Sequence, residues 1–221
     1  MFRPPAIDPV TGRSGREEIL NALTHAVGAA LSIAGLSVLV AHAASEGDPW
    51  RMVSFSIYGA TLVTLYLTST LYHTLHRPRL KKYLRLADHS AIFLLIAGTY
   101  TPFTLVNMRG PWGWSMFGII WGLAIAGVAM KLLFGPRFMV VSVTLYIAMG
   151  WIVVIAIKPT LETIPAAGIL WMITGGVAYT SGVVFFAWKR LPYSHAIWHL
   201  FVMAGSMCHF IAVLFHALPQ K

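Results

Sequence analysis

The sequence predicts an all-α integral membrane protein: one seven-transmembrane helix bundle, N-terminus cytoplasmic and C-terminus outside. Three observations predict it. Hydrophobic residues make up 57% of the 221-residue chain and charged residues only 10%, where a soluble domain carries roughly 25% charge. The apolar residues fall into seven stretches, each near the ~20 residues that cross a bilayer as a helix. The Lys and Arg residues fall in the short connections between those stretches, mostly at one side of the membrane.

The elements follow in order. Residues 1–17 are polar, contain Pro and Gly, and read as a mobile cytoplasmic tail. The membrane domain, 18–218, begins with a span at about 19–44. The small-residue stretch "LVAHAASEG" resembles a signal-peptide cleavage site, but the apolar run from Ile19 to Ala44 exceeds the roughly 7–15 residues of a signal core. This helix is therefore expected to stay. "EGDPWR" breaks the chain before a span at 50–74, and "HRPRLKKYLR" separates that from a span at 88–107. Pro102 lies in the third span and should kink or weaken it, because proline lacks an N–H and clashes with the preceding turn. "NMRGPWGW", "FGPR", "KPTLETIP" and "KRLPYS" then delimit spans at 112–133, 138–157, 164–188 and 194–217. Each break combines Pro with polar or charged residues. Gly118, Gly122, Gly175, Gly176 and Gly182 are expected to permit close helix contacts.

Charge sets the orientation. The tail and the second, fourth and sixth connections carry twelve Lys and Arg, and the opposite side carries four. Positive residues stay inside, so the tail is cytoplasmic. Trp50, Trp112 and Trp114 fit an outer aromatic belt and Trp188 an inner one. The net charge of +9 therefore points to topology and anionic lipid rather than nucleic acid. Cys208 is the only cysteine, which excludes an intrachain disulfide and a thiolate metal cluster.

This orientation brings ionisable residues to one level. Span 2 ends inside with "STLYHTLH", span 3 starts inside with "ADHSAIF", span 7 with "SHAIWHLF" and span 1 with "EEILNALTH". Ser69, His73, Asp88, His195 and His199 thus share the inner leaflet, with Glu18, Asn21 and His25 at similar depth. His195 and His199 lie one helical turn apart on one face, about 6 Å along the axis. Two imidazoles at that spacing can bind one ion. His73, from another helix, completes a three-histidine set, and three ligands with an open fourth position is the catalytic zinc arrangement. All-nitrogen ligands favour zinc, with copper, iron or nickel as alternatives. Asp88 then stands behind them as the carboxylate that handles a proton. Glu18, Asn21 and His25 fall on one face of span 1 and read as supporting or packing residues rather than ligands.

Each residue also has a simpler reading. His73 can snorkel to the interface, Asp88 can pair with Lys82 or Arg85, and Ser69 can bond the carbonyl four residues earlier. His199 is deeper, and ionisable residues inside a membrane are functional by default. The remaining histidines act as controls. His76 reads as solvated, His89 points about 100° away from Asp88, and His209 lies about 21 Å along the helix from His195, too far to share an ion. His42 and His216 are near the outer surface.

The motifs "ExxNxxTH" at 18–25, "SxxYH" at 69–73, "DHSAIFLLIAGTYTP" at 88–102 and "SHxxWH" at 194–199 resemble the hemolysin III branch of the progestin and adipoQ receptor family, the branch common in bacteria. The resemblance spans about Glu18 to His216. It implies a seven-helix bundle in the bacterial cytoplasmic (inner) membrane, with one zinc ion held by His73, His195 and His199. It also implies Asp88 acting on the water at that ion, and Ser69 among the catalytic residues. Adiponectin receptors, similar in these motifs, are associated with ceramidase-like amide hydrolysis. The expected activity is therefore hydrolysis of a lipid amide or ester, with membrane lipids or a fatty-acyl substrate as partner. The alternatives are a non-enzymatic, zinc-stabilised membrane sensor and, from the hemolysin name, a pore-forming protein. A haem carrier fits less well, since haem needs axial ligands from facing helices. No inverted repeat suggests a transporter.

Overall fold

The computed structural model describes residues 7–218. It is all-helical apart from short connections. Eight α-helices run in order: α1 (Gly15–Glu46), α2 (Pro49–Thr74), α3 (Pro78–Pro102), α4 (Pro111–Phe134), α5 (Met139–Gly150), α6 (Ile157–Thr163), α7 (Ala166–Ala187) and α8 (Ser194–His216). Six helical segments are long and apolar enough to cross a membrane.

Local chemistry fixes the ends. Ser14 caps α1: its Oγ accepts the Glu17 N–H while Glu17 returns a bond to the Ser14 N–H, the reciprocal capping arrangement. Gly47, in the left-handed region at φ 67°, closes the same helix. Asp48 caps α2 by accepting the Trp50 N–H, and Pro49 occupies the first helical position, where no N–H is needed. Helix α3 begins earlier than the apolar pattern indicates. The basic stretch after Pro78 is its first two turns, not a loop. After Pro102 the backbone widens into a π-helical turn, Phe103–Asn107, the expected weakening realised as a change of pitch.

One apolar segment, Pro111–Thr163, is 53 residues long, or roughly 80 Å as straight helix. It is not straight. Gly127 of α4 packs on Phe93, and Trp121 Nε1 donates to Thr101 Oγ1 at 3.1 Å, so α4 runs antiparallel to α3. Tyr146 Oη donates to the His89 carbonyl at 2.7 Å, and Tyr100 Oη to the Gly150 carbonyl at 2.8 Å, so α5 runs parallel to α3. The chain reverses through the 3-10 turn Gly135–Phe138, where Gly135 has φ 62°. Beyond α5 the helix tightens to a 3-10 turn at Ile152–Ala156 before α6.

Helix α3 is the centre: 78% of its apolar window is buried, against 11% for α7. One core joins α1, α2, α3, α7 and α8, and a second joins α3, α4 and α5. Gly175 and Gly182 lie against α8, where a Cβ would meet His209, Phe201 and Trp198. Gly118 and Gly122 have open space where a Cβ would stand, so among the described residues these two glycines serve no helix contact.

Of the mobile tail expected at 1–17, residues 1–6 lie outside the described residues, 7–14 are folded, and 15–17 are the first turn of α1. The Asp8 N–H donates to the Arg13 carbonyl, the Gly12 N–H donates to the Asp8 carbonyl (both 2.8 Å), and Ile7 bridges Ser14. Asp8 Oδ1 accepts the N–H groups of Val10 and Thr11 at 2.9 and 3.0 Å, a side-chain turn typical of Asp.

Candidate metal centre

Four helix ends build the site. Helix α8 enters through Tyr193, a non-glycine residue at φ 59°, whose N–H donates to Glu17 Oε1 of α1 at 3.0 Å. This bond fixes the first turn of α8 against the first turn of α1. His195 and His199 then face inward, 8% and 1% exposed. His73 arrives from the last turn of α2 and is 1% exposed. The three rings converge: His73 lies 5.2 Å from both His195 and His199 between centroids, and His195 lies 4.5 Å from His199. One nitrogen from each comes within 4.8 Å of the others, a span one ion can bridge.

The hydrogen bonds decide which nitrogen is free. His73 Nδ1 lies 3.2 Å from Glu18 Oε2; a carboxylate accepts, so Nδ1 carries the hydrogen. His73 Nε2 is buried without a partner. His199 Nδ1 lies 3.2 Å from the Asn21 carbonyl and 3.0 Å from Thr24 Oγ1. That carbonyl can only accept, so this Nδ1 is again the donor and Nε2 keeps its lone pair. His195 Nδ1 is buried without a partner. Ligating histidines commonly donate their second nitrogen to a carboxylate or a carbonyl, which fixes ring and tautomer. Two of the three histidines do so here, and His73 and His195 each keep a buried nitrogen without a partner. The donor set therefore fits a tetrahedral, nitrogen-preferring divalent ion.

The remaining sequence candidates are placed as follows. Glu18 is 1% exposed and accepts from His73 and from Lys81 Nζ, the latter at 2.6 Å. Asn21 contributes its backbone carbonyl; its side-chain oxygen and nitrogen have no partner. His25 stacks on His199, with centroids 3.5 Å apart, and meets Tyr66 edge-on at 5.0 Å. Asp88 and Ser69 line the same cavity as His25, His195 and His199. Ser69 Oγ approaches the Asp88 carboxyl without a well-formed hydrogen bond.

Three participants escape sequence reading. Thr24 lies three residues after Asn21 and could have been found on the same helix face. Lys81 reads as a topology-setting loop charge, yet it is fully buried between Asp8 and Glu18, 2.6 Å from each. Asp8 is 1% exposed. Burial pushes the Asp8 carboxyl up, but bonds from Lys81, Thr11 and Val10 outweigh it and hold it down at about 2. His76, expected to be solvated, has Nδ1 3.5 Å from Asp8 Oδ2.

From the cluster a cavity of about 130 Å³ runs toward the other end of the bundle, between α3, α5, α7 and α8. Its walls are mostly apolar, including Leu95, Ile96, Val143, Ile147 and Trp151. His209 lines its far end, apart from the three-histidine group as its spacing requires.

The sequence matches the family model described as haemolysin-III related over residues 14–210. It is 49% identical to "Hemolysin-3" of Bacillus cereus over 204 residues, covering 92% of this chain and 93% of that protein. It is 44% identical to "Hemolysin-3 homolog" of Bacillus subtilis (strain 168), covering 92% and 95%. At 30% identity it matches human "Monocyte to macrophage differentiation factor", over 89% of this chain and 83% of that protein. A multi-pass helical bundle, a family-model match over most of the chain and near full-length similarity converge: the chain belongs to the haemolysin-III-related family, the hemolysin III branch of the progestin and adipoQ receptor group.

Proposed function

We propose that this protein is a zinc-dependent hydrolase of lipid amide or ester bonds, embedded in the bacterial inner membrane, and that its substrate carries a fatty-acyl chain. It crosses the membrane seven times, since α4 and α5 run in opposite directions and share the longest apolar segment. Its N-terminus lies inside. Arg13, Lys81, Arg85 and Lys131 gather at the cluster end of the bundle, as the positive-inside rule requires of a cytoplasmic face.

The observation that carries the reading is one juxtaposition: three converging histidines, two of which line an apolar cavity together with a buried carboxylate. His73, His195 and His199 would hold the ion. A zinc ion there supplies Lewis acidity toward a carbonyl oxygen and toward water. The chain's own residues do the rest. Apolar walls hold the acyl chain and exclude bulk water. Asp88 accepts a proton from the attacking water and returns it to the departing nitrogen or oxygen. Ser69 orients Asp88 from the facing helix.

Metal analysis of chelator-free protein, beside lipid hydrolysis, tests this. The expected result is about one zinc per chain, with Asp88→Asn keeping zinc but losing hydrolysis. Absence of zinc from the wild type overturns the mechanism. Zinc without turnover on amide and ester lipids overturns the hydrolase and leaves a zinc-stabilised sensor.

A further inference from the structure

We propose that the loop of residues 7–14 is a working part of the metal centre: through Lys81 and Glu18 it holds His73 in its ligating orientation. The proposal rests on the reading of His73, His195 and His199 as a metal site, and it adds residues outside the bundle to that site.

The bonds form one continuous chain. Asp8 uses Oδ1 to close its own turn on Val10 and Thr11, which leaves Oδ2 for Lys81 Nζ at 2.6 Å. The same Nζ donates to Glu18 Oε2 at 2.6 Å, and that oxygen accepts from His73 Nδ1 at 3.2 Å. The loop takes the other Glu18 oxygen as well. Thr11 Oγ1 donates to Oε1 at 3.0 Å, and Arg13 lies 4.0 Å from it. Both oxygens of Glu18 are thus fixed, one directly by the loop and one by a lysine that the loop neutralises.

Burial makes the chain necessary. Lys81 is 0% exposed and Asp8 and Glu18 are each 1% exposed. The buried ammonium is shared by two carboxylates, and the second negative charge is offset by Arg13 beside Glu18 and by the hydrogen bond from His73. Without Asp8, Lys81 loses its anchor on the loop side, and the ammonium that fixes Glu18 Oε2 is free to shift and take Glu18 away from the position His73 needs. Removal of one member of a buried charge group is disruptive, because the others lose the geometry that offset their desolvation. Outer partners of metal-ligating histidines typically change metal affinity 10- to 100-fold when altered. Asp8, Thr11 and Lys81 act through Glu18 and are positioning residues.

Coupling is reciprocal: if the loop holds the metal ligand, bound metal holds the loop. The test uses the full-length protein in detergent, with Asp8→Asn, Thr11→Val and Thr11→Ser. Asp8→Asn keeps an acceptor for the turn and loses the charge facing Lys81. Thr11→Val loses one hydroxyl at nearly constant shape, and Thr11→Ser restores it. Zinc affinity is read by competition with a chromophoric chelator, and loop closure by trypsin cleavage after Arg13 with and without zinc. We expect Asp8→Asn and Thr11→Val each to weaken zinc about 10-fold, Thr11→Ser to restore wild-type affinity, and zinc to slow cleavage after Arg13 in the wild type. Wild-type zinc affinity in Asp8→Asn and Thr11→Val would overturn the loop's role and leave the three-histidine site standing. A wild-type protein that binds no zinc would overturn the site itself, and the loop's role with it.

Discussion

Helix α8 carries histidines at both ends of one face, and their surroundings could hardly differ more. At its first turns His195 and His199 meet His73, His25, Asn21, Thr24 and, one step away, Glu18. Further along, His209 meets Tyr179 at 5.5 Å and the backbone of Gly175, and its Nδ1 is buried without a side-chain partner. Both environments are buried within the helix bundle. What separates them is convergence: three other helices bring polar groups to the first end, and none brings a second imidazole to the other. A histidine in an apolar helix becomes a candidate ligand only where other elements supply further donors and a fixed tautomer.

That contrast can be broken in graded ways. The largest effect is expected from His199→Ala or His195→Ala, which should abolish stoichiometric zinc by mass spectrometry while His209→Ala retains it; equal loss in all three would erase the distinction. Next, Glu18→Gln should lower zinc affinity about 10- to 100-fold in a chelator competition. An unchanged value would show that the His73–Glu18 bond does not support the ligand. Third, Gly175→Ala drives a methyl into the His209 ring and should cost about 1–3 kcal/mol by overpacking, seen as a lower Tm with zinc content intact. Fourth, the Asp8 carboxyl should titrate near 2, below its usual 3.8. Its lowered value means that its contribution is complete above about pH 4 and is lost as pH falls toward 2. A carbon NMR titration with a midpoint near 4 would show that the Lys81 and His76 side of the loop is open. Smallest, Tyr146→Phe removes one bond to the His89 carbonyl and should cost about 0.5–1.5 kcal/mol in thermal unfolding, without moving zinc.

Much of this was legible in the sequence, because the membrane makes its demands in composition and period. Apolar stretches predict the long helices to within a few residues at most ends, and the break at Pro111 falls beside the start of α4. The depth of His73, His195 and His199 follows from where each apolar run begins or ends. What was hidden depends on side chains that act against their local pattern. Lys81 stands among five basic residues and reads as solvated, but its long stem carries the ammonium inward to two carboxylates. Asp8 sits in "DPVTG", whose Asp, Pro and Gly announce a turn, but no periodicity says where the turn docks. The start of α3 was misplaced because its first turns are basic rather than apolar, so helical period and apolar content part company there.

The bond between Thr24 and His199 joins residues 175 positions apart, and Glu17 grips the residue just before α8 from a similar distance. Among the described helices, the one made earliest is therefore completed by the one made latest. During synthesis Glu18 finds His73 and Lys81 as α2 and α3 form, but Thr24 meets no histidine until α8 emerges. Ion uptake must then follow the emergence of α8, and a polypeptide cut short before Ser194 would hold His73 against Glu18 with neither His195 nor His199 to complete the group.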